Sequence, residues 1–227
     1  MALTHSPSIA TNGLVLCLDA ANPKSYPGTG TTWSDLSGLG NNGTLVGGVG
    51  YSGDNLGSLS LDGVDDYGTL GNTTILNSGL TSSSFSSWWK YLGQGSGSDK
   101  RGFVLESANF HYSLFVNTTG TLGVHINTTD NSTQFIPGFS PTIGQWYYSS
   151  VVWDGINLIV YINGVEVGRR SQSGTSLIVQ NLRIGTYRDN NNRWWLGNIA
   201  QVSIHNIALT SSEIRQNFNA LRGRFGI

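Results

Sequence analysis

Alternation with a period of two, cut by turn residues about every ten positions, restricts this chain more than any other feature. Its clearest instance is 157-NLIVYINGVEVGRR-170, where two β-rich runs flank Asn163-Gly164. Asn and Gly accept the positive φ angles of a type I′ turn, so this stretch reads as a two-residue hairpin with a fixed register. In 85-FSSWWKY-91, Phe85, Ser87, Trp89 and Tyr91 fall on one face and Ser86, Trp88 and Lys90 on the other. The run 146-WYYSSVVW-153 is apolar on both faces and stops at Asp154-Gly155. Further strands are expected at 102–107, 111–117, 121–127, 181–185 and 194–205, which together describe an all-β sandwich or barrel. A chain of 227 residues is an ordinary size for one such domain. We assign 13–227 to a single domain and set 1–12 apart as an N-terminal arm.

One helix interrupts the pattern, at 210-TSSEIRQNFNALRGR-224. Thr210 and Glu213 have the spacing of a capping box, and Ile214, Phe218 and Leu221 share a face. Gly223 is the expected C-cap, and the helix is expected at the sandwich edge. The stretch 22–44 has almost no periodicity, and so long a loop in a compact domain is functional or is held by something.

Composition narrows the function classes. Charged residues are 11% of the chain, against about 25% in an average soluble domain, and the balance is Gly, Ser, Thr and Asn. Net charge is −1 with no basic block, which argues against nucleic acid as a partner. The lone Cys17 lies in an apolar run and reads as a buried, inert thiol. The first residues lack a basic, apolar leader, so no signal peptide is expected, and no apolar run is long enough to span a membrane. Sequons at Asn42, Asn72, Asn117, Asn127 and Asn131 read as turn chemistry.

The order of motifs is also informative: 33-WSDLSGLGNNG-43, 61-LDGVDDY-67, a tryptophan-led strand at 146, 161-YINGVEVG-168, and 196-LGNIAQVSIHNIALTSSEI-214. This order resembles the laminin-G-like, concanavalin-A-type jelly-roll domains, in particular their pentraxin-like branch. The resemblance implies a two-sheet antiparallel jelly-roll sandwich with one short C-terminal helix. The segments 13–38 and 216–227 resemble stand-alone virion proteins of tailed bacteriophages, cyanophages included. That narrower resemblance implies a non-enzymatic particle component, assembled in host cytoplasm. Its partners would be other virion proteins or copies of itself, with host-surface polysaccharide as a further partner.

Candidate sites follow from residue chemistry. Glycoside hydrolysis needs two carboxylates at a set separation, yet the only glutamates are Glu106, Glu166 and Glu213, scattered over strand, hairpin and helix cap. The histidines, His5, His111, His125 and His205, form no metal or nucleophile pattern. No catalytic residue is therefore assigned. The segment 62-DGVDD-66 has two readings: a turn closed by Asp side chains, or a calcium site. In the resembling families calcium often sits in Gly/Asn-rich loops such as 35-DLSGLGNNG-43, which 62–66 could return to meet, and this implies Asp35 and Asp62 as first ligands with Asn41 and Asp66 behind. Ala200 and Gln201 stand where those families commonly place an acidic pair. The stretch 186-TYRDNNNRWW-195 is the expected glycan-binding loop, through Tyr187, Arg188, Asn191, Arg193 and Trp194. In the pairs Trp88–Trp89 and Trp194–Trp195, one ring of each is expected in the core and the other facing away.

Overall fold

A computed structural model describes residues 8–71, 73–77, 79–97, 99–107, 112–132, 134–187 and 193–227. Along the chain these form β1 (Leu14–Asp19), β2 (Thr32–Trp33), β3 (Gly43–Val46), β4 (Gly50–Ser52), β5 (Ser58–Asp62), β6 (Tyr67–Thr69), β7 (Thr74–Leu76), β8 (Ser83–Gln94) and β9 (Gly102–Glu106). Then follow β10 (Tyr112–Val116), β11 (Leu122–Ile126), β12 (Trp146–Trp153), β13 (Asn157–Ile162), β14 (Val165–Ser171), β15 (Val179–Gln180), β16 (Arg183–Ile184), β17 (Trp195–His205) and α1 (Ser211–Phe225).

Two antiparallel sheets face each other. One has the order β14-β13-β12-β8-β17-β5-β4, with β1 also paired to β17; the other has the order β11-β10-β9-β16-β6-β3-β2. A two-stranded ribbon, β15-β7, stands apart. The hairpin at 163–164 forms as expected: Asn163 has φ 52° and Gly164 φ 78°, and Ile162 pairs with Val165.

Period-two alternation explains the core. Phe85, Trp89 and Tyr91 of β8 point between the sheets with Tyr147, Val151 and Trp153 of β12, while Trp88, Trp146, Tyr148 and Val152 point the other way. The second face is apolar because α1 covers it. Ile214 and Phe225 are buried there, with Phe218 and Leu221 packed alongside. The helix thus lies over the face of the eight-stranded sheet rather than at its edge, and this corrects the expectation. The capping box of Thr210 and Glu213 is present, but the C-cap is Gly226 (φ 70°), not Gly223. Continuing the helix past Gly223 brings Phe225 onto Trp88, with ring centres 4.2 Å apart. Among the described residues no helix is long and apolar enough to cross a membrane.

Residues 1–7 of the expected arm lie outside the described residues; Ala10 is held in a socket. Its N–H donates to Asn217 Oδ1 (2.7 Å), and its carbonyl accepts from His205 Nε2 (3.1 Å). The His205 ring is fully buried and its Nδ1 has no partner among the described residues. Burial lowers the pKa of His205, against the opposing effects of Ala10 and Glu213. The buried His125 is pushed down to about 4 by desolvation, with Arg170 and Arg101 adding to it. Both rings are neutral in the native state and take up a proton more readily on unfolding. Their contribution is complete above the unfolded value near 6.5 and is lost as pH falls towards 4. The melting temperature should therefore fall over that window. His205→Gln, whose amide still donates to Ala10, should flatten the decline, and an unaltered slope would exclude His205 as a cause.

Candidate functional site

The long loop of 22–44 is held by a carboxylate and a buried ring. Trp33 is fully buried in the inter-sheet core. Asp35 Oδ1 accepts from Cys17 N (2.8 Å) and Ser37 N (2.9 Å), and its Oδ2 accepts from Ser37 Oγ (2.6 Å) and Asn41 N (3.0 Å). Asn41 Nδ2 donates to Val15 O (2.8 Å). Asn42 Oδ1 accepts from Asp35 N, so this sequon asparagine does close a turn. Four donors aimed at one carboxylate organise the loop, and a cation at Asp35 would have to compete with all of them. Cys17 lies beneath, its thiol pushed up to about 12 by burial, with Asp19 and Asp35 adding to the rise.

The aspartates of 62–66 form a separate cluster. Asp62, Asp65 and Asp66 each offer an oxygen within 4.8 Å of the others, and Asp35 is not part of that group. The segment is the turn from β5 to β6. Asp62 Oδ1 accepts from Val64 N (2.8 Å), and Asp66 Oδ2 accepts from Asp62 N (3.0 Å). Asp66 is only 5% exposed; burial raises its pKa, and the charges of Asp62 and Asp65 add to the rise. Among the described residues no cationic side chain pairs with any of the three. Gly47, at φ 96°, lets the end of β3 pass against this turn: a β-carbon there would sit 2.3 Å from Asp65 O. Asp65, left out of the ligand set at the sequence level, is thus brought to Asp62 and Asp66, while Asp35 and Asn41 serve another loop.

Of the expected glycan residues, Arg188 and Asn191 lie outside the described residues. Tyr187 and Trp194 do not present open rings, being 6% and 9% exposed. Tyr187 packs on Phe103 (5.3 Å) under the Arg193 guanidinium (4.0 Å), and Trp194 lies 6.2 Å from Tyr67. Arg193 Nε donates to Asp99 Oδ2 (2.6 Å), which Arg101 also clasps through Nε and Nη2. Arg101 above all, with Arg193 beside it, holds Asp99 well below the ordinary carboxylate range against the opposing effect of burial. In both tryptophan pairs one ring enters the core, as expected. Trp89 and Trp195 meet edge-to-face at 5.6 Å, whereas Trp88 lies under α1.

Two groupings escaped sequence reasoning because their members come from distant strands. On the outer face of the seven-stranded sheet, register pairing aligns Arg183, Glu106, Ser113 and His125 in one row. Glu106 is fully buried, and its partners in register, Ser113 and Arg183, are not acidic. The second grouping is a cleft of about 310 Å³ where β12 begins, bordered by Gln145, Trp146, Asn163, Phe225 and Ile227.

With that geometry in place, comparison adds relatives. No curated protein matches the chain. Among solved structures it is similar to domain 4 of AbnA, a GH43 extracellular arabinanase from Geobacillus stearothermophilus, in complex with arabinotriose (TM-score 0.64, 19% identity, 90% of this chain and 97% of that one). It is also similar to the binding domain of Paraclostridial Mosquitocidal Protein 1 (0.69, 15%, 92% and 52%). The receptor binding domain of botulinum neurotoxin D matches likewise (0.70, 15%, 92% and 52%). The chain spans about half the length of these two toxin domains. The model of the concanavalin A-like lectin/glucanases superfamily, laminin-G type, matches residues 62–215. The facing antiparallel sheets, the single C-terminal helix and this match together place the chain in the concanavalin A-like lectin/glucanase superfamily.

Proposed function

We propose that this chain is a non-catalytic carbohydrate-binding domain. The superfamily includes both lectins and glucanases, and the only glutamates of the sequence, Glu106, Glu166 and Glu213, stand on three separate elements, β9, β14 and α1, which favours the lectin side. The likeness to an arabinanase domain described with arabinotriose, and to toxin binding domains, supports the reading at the level of fold. The proposal includes a calcium ion at Asp62, Asp65 and Asp66. Three carboxylates within 4.8 Å are hard oxygen donors of the kind calcium takes, and an ion there would relieve their mutual repulsion. A glycan array probed with calcium and with chelator tests both parts. Binding to at least one glycan, weakened by chelator, is expected. No binding under either condition removes the reading, chelator-insensitive binding removes the ion, and release of sugar from a polysaccharide would overturn the non-catalytic role.

A second reading is that this domain is displayed on a bacteriophage particle beside other virion proteins or copies of itself. Its support is the resemblance of 13–38 and 216–227 to virion proteins. Residues of the two segments meet in the fold, at Asp19 and Arg224. Mass spectrometry of purified particles should find the chain at stoichiometric copy number, and its absence would exclude this role.

A further inference from the structure

The geometry points to the cleft at the start of β12 as the saccharide subsite, rather than the 186–195 loop or the aspartate turn; this inference rests on the carbohydrate-binding reading. The cleft lies where the 137–145 loop, the β13–β14 turn and the end of α1 converge. Its floor is apolar but offers ring edges, not open ring faces: Trp146 and Phe225 are 8% and 7% exposed, as little as Tyr187 and Trp194, with ring centres 4.6 Å apart. Ile227, 43% exposed, stands at the mouth.

Two amides supply the polar groups, and each is fixed at its oxygen. Gln145 Oε1 accepts from Tyr147 OH (2.9 Å), and Asn163 Oδ1 accepts from Tyr148 N (2.9 Å). Those bonds set the orientation of each amide and leave its NH₂ without a partner among the described residues. The indole N–H of Trp146 is already committed to Asn55 Oδ1 (3.0 Å), so the ring adds apolar surface only. The lining side chains carry no carboxylate, ammonium or guanidinium, and the nearest cation described at the floor is the Lys90 ammonium, 5.3 Å from the centre of the Trp146 ring. Two oriented amide donors beside an apolar floor, with no charged side chain in the lining, suit a neutral ligand that has hydroxyl acceptors and an apolar face. That is the chemistry of a neutral sugar ring. At about 310 Å³ the cleft sits at the lower end of the roughly 300–1,000 Å³ range of small-ligand sites, which suits a short saccharide. A wider hollow of about 490 Å³ runs beside α1 at Ser211, Arg215 and Gln216, but its lining residues come from one helix and include no aromatic ring.

The test is an NMR titration of the whole chain with three neutral trisaccharides, arabinotriose, xylotriose and maltotriose, following side-chain amide and indole N–H signals. Shifts should concentrate at Gln145, Asn163 and Trp146 for at least one of them. Gln145→Ala combined with Asn163→Gly, which keeps a residue tolerant of positive φ in the turn, should weaken that binding about tenfold with the fold intact. Shifts confined to the 62–66 turn or the 186–195 loop would overturn this subsite and leave carbohydrate binding standing. So would binding unchanged in the double variant. No shifts with any trisaccharide would overturn the subsite as assigned to short neutral sugars; the glycan array separately decides whether the chain binds carbohydrate at all.

Discussion

Trp88→Ala should destabilise the protein by about 3–5 kcal/mol, lowering the melting temperature by roughly 10 °C for a chain of this size. The ring is fully buried on the outer face of the eight-stranded sheet. Phe225 stacks on it at 4.2 Å and Phe218 at 5.7 Å, and Tyr148 lies tilted at 5.3 Å. Removing it leaves a cavity beneath α1 that three aromatic neighbours cannot close without moving the helix. Its Nε1 has no hydrogen-bond partner among the described residues, so the indole acts there through packing. Trp88→Phe should therefore recover most of the loss, since it gives up area but no satisfied polar contact. Urea unfolding of the two variants checks this. An alanine variant within 1 kcal/mol of the parent would show that α1 is not docked as described.

Arg224→Ala should cost a comparable amount, about 3–5 kcal/mol, by a different mechanism. The Arg224 side chain is 9% exposed and that of Asp19 is 17% exposed. Nη1 reaches both carboxylate oxygens, at 3.0 and 3.1 Å, while Nη2 donates to Gly57 O (3.1 Å) and Nε to Asn55 O (3.3 Å). One guanidinium thus joins the end of α1 to β1 and to the 54–57 turn. Removing it strands a largely buried carboxylate and two carbonyls, which is where most of the cost arises. Arg224→Lys should rescue little, because an ammonium lacks the planar fork. Arg224→Met with Asp19→Asn should recover a good part, because no lone charge remains. If the double variant is as unstable as Arg224→Ala, buried charge is not the cause. Differential scanning calorimetry of the set decides.

What the sequence revealed was local. The Asn163-Gly164 hairpin, the two faces of β8 and the capping box of Thr210 and Glu213 are each decided by residues within a few positions of one another. The helix terminus was misplaced because Gly223 and Gly226 are both plausible stops locally, and the choice turns on Phe225 finding Trp88 across the sheet. The site was harder for the same reason. Asp35 and Asp62 have the same chemistry in sequence, but four donors engage one and two acidic neighbours crowd the other. Tyr187 and Trp194 sit in a polar run that reads as an exposed loop, yet packing on Phe103 and Tyr67 covers them. Gln145, Asn163 and Phe225 meet only once β12, the hairpin and the helix are in place.

The position of β17 bears on how the protein forms. It pairs with β8 along one side, and on the other with β5 through its first half and β1 through its second. β1 pairs with a strand far from it along the chain: Cys17 sits opposite Ser203. Topologies dominated by such distant pairings fold slowly, on millisecond-to-second timescales, because loop entropy is lost before the contacts that offset it form. Until β17 docks, β8, β5 and β1 each expose an edge of unpaired backbone N–H and C=O groups, so intermediates lacking β17 are the most prone to misassociation.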